Sequence, residues 1–166
     1  MSQKLQESKN KGPHLKLSKL EGNWEGIART WFDPATLEDE SPVKGNMKLI
    51  MDGKYVLFEY QGSFGGKPLS GLAIHGYNLE LKRFESTWLD SFHTGTAIMF
   101  FKGNQNDEAI NMLGSYAYVT PEAEQHWGWR TEIEMTKENE MVITSYNISP
   151  EGAEAKATES ILKRSS

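Results

Sequence analysis

The sequence contains no cysteine among its 166 residues. Disulfides, cysteine-based zinc sites, iron–sulfur clusters and thiol nucleophiles are therefore excluded. Basic residues are also scarce relative to acidic ones, 18 against 23, which gives a formal net charge of −5. A nucleic-acid partner would require a basic face, so this charge balance argues against one.

Long apolar segments are missing as well. No run of the sequence approaches the roughly 20 residues that span a bilayer, and residues 1–11 lack the apolar core of a signal peptide. The sequence alone therefore predicts a cytoplasmic protein without a membrane span. Residues 1–11 hold one leucine and no aromatic residue, so we predict a flexible tail there and a single domain over residues 12–166.

A short helix is predicted immediately after this tail. Pro13 stands near its start and Gly22 just past its end, which is the usual asymmetry of helix termini. Leu17 and Leu20 fall on one face of such a helix. We expect about two helical turns near residues 13–21.

From Asn23 onward, apolar and polar residues alternate with a period of two, which is typical of half-buried strands. Asp52-Gly53 and Gly65-Gly66 are hairpin signals, and several prolines mark other turns. Ten candidate strands result, at 23–33, 43–51, 54–64, 67–77, 80–89, 94–102, 109–119, 126–137, 140–148 and 153–164. This succession predicts an all-β fold, a single antiparallel up-and-down β-barrel, because closure removes the exposed sheet edges.

The segment Leu20-Glu21-Gly22-Asn23-Trp24-Glu25-Gly26 resembles the calycins, that is, the lipocalins and fatty-acid-binding proteins. Their first strand begins Gly-x-Trp after a short N-terminal helix. The resemblance implies that Trp24 packs as a structural plug across the closed end of the barrel. Because the first and last strands of a closed meander adjoin, we expect Lys163 or Arg164 near its indole.

Later motifs narrow the resemblance to one family. Gly71-Leu72-Ala73-Ile74-His75-Gly76-Tyr77-Asn78, then Thr87-Trp88-Leu89-Asp90-Ser91, then a closing strand with Glu159 and Arg164 follow in order. Over roughly residues 14–164 the chain resembles the bacterial domain-of-unknown-function family 1579. The resemblance implies a lipocalin-like barrel and no particular activity, and Asn78 stands where the family usually has aspartate.

Candidate site residues follow from the alternation of facing along a barrel strand. Trp88 and Asp90 share a face, and the alanines of the last strand place Glu159 on their own, inward face. Two interior carboxylates need a partner. Arg130 is a candidate because the family pattern has an arginine near this point, although its facing is ambiguous.

The complete candidate ligand site comprises Trp88, Asp90, Arg130, Glu159, His75, Tyr77 and Trp129. Among these, Arg130, His75 and Tyr77 are the candidate partners of Asp90. Asp90, His93 and His75 could in principle form a two-histidine, one-carboxylate metal site. Histidines far apart in sequence are usually unrelated, so neither a metal nor a cofactor is predicted.

Three functional hypotheses remain open on the sequence. The first is a module that binds a small, mostly apolar acyl or aromatic ligand inside the barrel. The second is an enzyme that uses an interior Asp, Glu and Arg group on a small molecule. The third is a filled barrel that acts through its surface on other proteins. A cavity above roughly 300 Å³ favours the first two, and a raised carboxylate pKa favours the second.

Overall fold

The protein folds into a closed ten-stranded antiparallel barrel, as the sequence predicts. The computed structural model describes residues 2–166, and Met1 lies outside the described residues. Two helices precede the strands, α1 (Gln3–Lys11) and α2 (Pro13–Ser18). The strands are β1 (Gly22–Asp33), β2 (Thr36–Ile50), β3 (Tyr55–Phe64), β4 (Lys67–Asn78), β5 (Arg83–Asp90), β6 (Met99–Gly103), β7 (Ile110–Val119), β8 (Glu124–Lys137), β9 (Glu140–Ile148) and β10 (Glu154–Ser165).

Each strand pairs with the next along the chain, and β1 pairs with β10 to close the barrel. In that closing pair, Trp24 lies opposite Arg164 and Gly26 opposite Leu162. The predicted Gly65-Gly66 hairpin is present, with φ values of 55° and 75° that glycine adopts without strain. Among residues 2–166, no helix is long and apolar enough to cross a membrane.

Strand β2 starts earlier than predicted, because Pro42 does not end it. Pro42 lies opposite Ile27 of β1, whereas the pairing of β2 with β3 covers Lys44–Ile50. A proline lacks the N–H needed on a paired side but is tolerated on a strand edge. The part of β2 before Lys44 is such an edge, so the chain continues through the proline.

The N-terminal segment also differs from the prediction of a flexible tail, since residues 3–11 form α1. The Ser2 hydroxyl caps this helix by accepting a hydrogen bond from the Leu5 backbone N–H. Leu5 and Ser8 are buried on one face, and Ser8 Oγ lies 2.8 Å from Nδ1 of His14 in α2. One capped turn and one buried leucine thus dock a segment whose composition is otherwise polar.

The helices cover one end of the barrel, which we call the helix end. Leu17, Leu20 and Trp24 are almost completely buried there. The Trp24 indole N–H donates a 2.8 Å hydrogen bond to the Leu20 carbonyl, and the Arg164 guanidinium lies 4.3 Å from the centre of its ring. This is the plug and the cation that the sequence predicts. The opposite end of the barrel, which we call the mouth, is the end at which a ligand site can form.

Candidate functional site

The mouth contains an open cavity of about 1000 Å³. Its walls come from the upper ends of β1, β5, β7, β8 and β10 and from the segment between β5 and β6. Its aromatic lining consists of Trp31, Phe32, Trp88, Phe92, Tyr116, Tyr118, Trp127 and Trp129. A volume of this size lies at the upper end of the range for small-molecule pockets.

Two indoles form the base of this mouth cavity. The rings of Trp88 and Trp129 stack with centroids 5.6 Å apart and an interplanar angle of 25°. Tyr116 meets Trp129 edge-on, and its hydroxyl donates a 2.9 Å hydrogen bond to Asn147 Oδ1. The hydrogen bond fixes the phenol, so the cavity presents preset aromatic faces rather than mobile side chains.

The mouth cavity also extends sideways, into the wall of the barrel beside β6. β6 has five residues, and its pairing with β7 ends at Phe101 opposite Gly114. β7 continues to Val119, so its upper half runs beside the segment 91–98 instead of a strand. Ala97, Ile98 and Ser115 from these two elements line the mouth cavity. The cavity therefore extends toward this gap as well as through the end of the barrel.

Asp90 lies just below the mouth and accepts several hydrogen bonds. Its side chain is completely buried. Tyr60 Oη donates to Oδ2 at 2.5 Å, and the backbone N–H groups of Phe92 and His93 donate to Oδ1 at 2.7 and 2.8 Å. The His93 ring adds Nδ1 at 3.1 Å from the same oxygen. Asp90 thereby holds the segment after β5 over the barrel.

The hydrogen bonds to Asp90 determine the ionisation states of Asp90 and Tyr60. Burial alone would raise the pKa of Asp90, but the hydrogen bonds from His93 and Tyr60 outweigh it and lower the pKa to about 2. Burial and the Asp90 charge raise the pKa of Tyr60 well above its usual value. At neutral pH, Asp90 is therefore a carboxylate and Tyr60 a phenol donor, which also accepts a 2.9 Å bond from the Trp88 indole.

A second, smaller cavity of about 120 Å³ lies below Trp88 and His93, and we call it the inner chamber. Thr30, Trp88, His93 and Thr158 line both spaces, so the inner chamber adjoins the mouth cavity. Its hydroxyl-bearing lining residues are Thr30, Ser63, Tyr60, Ser86, Thr131, Ser145, Thr158 and Ser160. His75 also lines it, with Nδ1 2.8 Å from Ser86 Oγ.

Several buried polar atoms around these spaces have no hydrogen-bond partner within residues 2–166. They are His75 Nε2, His93 Nε2 and Trp129 Nε1 on the inward side, and Thr87 Oγ1 elsewhere. Buried polar groups are satisfied in the great majority of cases, because leaving one unpaired costs about 1–3 kcal/mol. Three unpaired atoms at adjoining cavities mark positions where a bound molecule would be stabilised.

Arg130 does not face this interior, which corrects the prediction that paired it with Asp90. Trp129 points inward, so the next residue along β8 points outward. The Arg130 guanidinium donates to Glu154 at 2.8 Å from Nε, also pairs with Glu132, and lies 4.2 Å from the Tyr146 ring centre. The hydrogen bond to Glu154 is the main cause that raises the pKa of Arg130. Arg130 belongs to an external ion-pair network.

Glu159 is also outside the interior, contrary to the prediction. β10 contains a bulge, since Lys156 lies opposite Tyr146 and Thr158 opposite Ser145. A bulge shifts the alternation of facing by one residue. Ala157 is buried before the shift, whereas Thr158 and Ser160 line the inner chamber after it. Glu159 instead pairs with Arg29 and Lys156, at 3.5 and 2.7 Å.

The other residues of the predicted ligand site lie partly near the mouth and partly at the helix end of the barrel. Trp88, Asp90, His75 and Trp129 line the mouth cavity or the inner chamber. Tyr77 lies at the helix end, edge-on to Phe84 and to His14, so it is no partner of Asp90. Among residues 2–166, no group of three or more His, Cys, Asp or Glu residues could hold a metal ion.

Sequence reasoning missed Tyr60 and Tyr116, and it missed His93 as the partner of Asp90. The signal for Tyr60 is Gly71 of β4, which lies opposite Tyr60 on one side and opposite Asp90 on the other. A Cβ at Gly71 would overlap the Tyr60 phenol. A glycine inside a strand often marks such a close approach.

A closed antiparallel barrel, plugged by a tryptophan and helices at one end and open at the other, defines a lipocalin-like barrel protein. The sequence model of the family described as "Protein of unknown function (DUF1579)" matches residues 9–164. The chain therefore belongs to that family, which confirms the prediction from its motifs.

One similar solved structure is the S-type phycobiliprotein lyase CPES from Guillardia theta. It shares 14% sequence identity with this chain, the alignment covers 92% of each chain, and the TM-score is 0.56. At this identity, the likeness shows the fold alone. The comparison with curated proteins found no match.

Proposed function

We propose that this protein binds a flat, mostly apolar small molecule in the cavity at the barrel mouth. The observation that carries the proposal is the stacked Trp88–Trp129 pair at the base of a cavity of about 1000 Å³. Flat apolar molecules bind well against such preset rings, because the rings lose little conformational freedom on binding.

The unpaired polar atoms support the same proposal. Trp129 Nε1 and His93 Nε2 are buried and have no partner within residues 2–166. A ligand oxygen or nitrogen at the mouth would satisfy them and would fix the orientation of an otherwise apolar molecule. The similar solved barrel is named a phycobiliprotein lyase, which supports a ligand-handling role for this kind of barrel at the level of fold only.

The interior supports binding better than the enzymatic alternative. An interior acid would require a raised carboxylate pKa, whereas the pKa of Asp90 is lowered to about 2. Asp90 orients His93 through Nδ1, but Nε2 of that ring contacts no hydroxyl that it could activate among residues 2–166. The filled-barrel alternative applies to the rest of the barrel and not to the mouth, because, of the mouth cavity and the inner chamber, only the mouth cavity exceeds roughly 300 Å³.

Titration with N-phenyl-1-naphthylamine, an uncharged aromatic fluorophore with a flat naphthalene ring, tests the proposal. We expect saturable binding with one molecule per chain, a rise in probe emission and quenching of tryptophan emission. Absence of saturable binding in the purified protein would overturn the proposal for ligands of this class. Native mass spectrometry of protein purified from its own host would then identify any co-purifying molecule.

A matched pair of tyrosine variants locates the site. Tyr116 lines the mouth cavity, whereas Tyr146 lies under Arg130 on the outer surface, and both are half-buried. Tyr116→Ala should weaken binding of the fluorophore by about tenfold, since one aromatic contact contributes about 0.5–1.5 kcal/mol beyond the area it buries. Tyr146→Ala should leave the affinity unchanged. Equal effects of the two variants would contradict binding at the mouth.

A further inference from the structure

The inner chamber has features of a ligand subsite distinct from the aromatic mouth. It has a volume of about 120 Å³, which is room for a few heavy atoms, since one water in the liquid occupies roughly 30 Å³. His75 is 5% exposed, lines this chamber and has no partner for Nε2 within residues 2–166. An orphaned buried nitrogen beside an adjoining cavity indicates a position for a polar group of a ligand.

The charges around the inner chamber exclude an anionic group. Asp90 and Asp39 are among its lining residues, and Asp90 is a carboxylate. Arg29 also lines it, but its guanidinium pairs with Glu40 at 2.7 Å and with Glu159 at 3.5 Å. Burial lowers the pKa of His75 to about 4, so its ring is neutral near pH 7. A ligand carboxylate would therefore meet the negative charge of Asp90, while the guanidinium that lines the chamber is already paired.

The hydrogen-bonding groups of the chamber fit a neutral head group instead. Nδ1 of His75 is engaged by Ser86, which leaves Nε2 as the ring nitrogen available to a ligand, as a donor or an acceptor according to its tautomer. Thr131 Oγ1 and Ser145 Oγ, which lie 3.0 Å apart, add hydroxyl groups to the lining. A hydroxyl group on the ligand can both donate and accept, and so it pairs with either tautomer.

The distance between the Trp88–Trp129 pair and His75 is short enough for one bound molecule to contact both. Ala73 of β4 lies opposite Trp88, and His75 lies opposite Ser86, two residues further from the mouth. Two strand residues correspond to about 7 Å along the barrel. A fused aromatic system at the Trp88–Trp129 pair would therefore bring a short substituent to His75.

We propose that the ligand carries an uncharged hydroxyl or amide head, which the inner chamber binds through His75 Nε2, and that acids are rejected there. This inference rests on the proposed function and names the class of its ligand. The rim of the mouth carries Lys156, 5.5 Å from the centre of the Trp31 ring, but its ammonium group is paired with Glu159 at 2.7 Å.

Calorimetric titrations with three matched molecules test the inference: 2-naphthalenemethanol, 2-methylnaphthalene and 2-naphthoate. The alcohol should bind about tenfold more tightly than the methyl compound, and 2-naphthoate should bind most weakly. His75→Leu should remove the difference between the alcohol and the methyl compound. His14→Leu is the matched control, since His14 is also buried and its Nδ1 also lies 2.8 Å from a serine hydroxyl, at the helix end.

Histidine nitrogen resonances of the wild-type protein give a second readout that needs no variant. The Nε2 resonance of His75 should shift on addition of 2-naphthalenemethanol and stay in place with 2-methylnaphthalene. Saturable binding without alcohol selectivity and without a His75 shift would overturn this inference while leaving the proposed function intact. If none of the three molecules binds and the uncharged fluorophore does not bind either, both proposals fail together.

Discussion

Tyr60 of β3 reaches Asp90 of β5 across an intervening strand, with Oη 2.5 Å from Oδ2. Gly71 of β4 lies between them in the register and has no side chain to block the phenol. The same phenol accepts the Trp88 indole N–H. One glycine thus permits a contact that joins the base of the mouth cavity to the segment folded over it.

We expect Gly71→Ala to destabilise the protein, because the added Cβ would overlap the Tyr60 phenol. Overpacking of this kind costs about 1–3 kcal/mol in free energy of unfolding, as measured by urea denaturation. Gly62→Ala is the matched control on β3, since a Cβ there would meet its nearest atoms at 3.5 Å. Equal stabilities of the two variants would show that Tyr60 has room to move aside.

Asp90 should make the stability of the fold depend on acid pH. Its folded-state pKa of about 2 is below the usual aspartate value of 3.8, so its contribution is present above about pH 4 and is lost as pH falls toward 2. The shift corresponds to about 2 kcal/mol. The wild type should exceed Asp90→Asn in free energy of unfolding at pH 6, and this difference should narrow steadily between pH 4 and pH 2.

A difference between the wild type and Asp90→Asn that stays constant over this pH range would show that Asp90 is not held ionised by its neighbours. Binding of the uncharged fluorophore to the same variant gives a separate result. If Asp90 positions His93 for a ligand, affinity should fall at neutral pH at temperatures where the variant remains folded. If Asp90 only fixes the segment after β5, the melting temperature should fall and the affinity should not.

Trp24→Ala should cost about 3–5 kcal/mol, the usual range for truncation of a buried aromatic residue. The indole is 1% exposed, donates to the Leu20 carbonyl and lies under the Arg164 guanidinium. Trp127→Ala is a suitable comparison, because that indole is only half-buried at the mouth. A melting temperature of Trp24→Ala equal to that of the wild type would contradict its role as a plug.

The barrel could be predicted from the sequence because its determinants are local. The period-two pattern, the Asp52-Gly53 and Gly65-Gly66 turns and the Gly-x-Trp opening each depend on neighbouring residues. The side of a strand on which a side chain lies could be predicted where the strand is regular, so Trp88 and Asp90 lie inside the barrel as expected.

The partners within the site could not be predicted in this way. Tyr60 meets Asp90 across a strand, and His93 reaches it by a turn of the segment after β5, so both contacts depend on register and tertiary structure. A rule of strict alternation cannot detect the bulge in β10, so it predicts the wrong side of the strand for Glu159. The docking of α1 rests on one leucine and one capping serine, too little signal in a polar segment.

The bulge itself leads to a last prediction, that stability is far more sensitive to a change of charge at position 157 than at position 159. Glu159 lies on the outer side of the barrel, 16% exposed, and forms ion pairs with Arg29 and Lys156, which are more exposed; ion pairs at the protein surface contribute about 0–1 kcal/mol. Glu159→Gln should therefore change the free energy of unfolding by less than about 1 kcal/mol, with a smaller change in high salt. Ala157 is 7% exposed and packs in the core, so Ala157→Glu should bury an unpaired carboxylate. The resulting loss in free energy of unfolding should be several times the change caused by Glu159→Gln. Urea denaturation of both variants at pH 7 distinguishes the two positions. If Glu159→Gln proved the more damaging of the two, β10 would alternate without a bulge and Glu159 would belong to the interior.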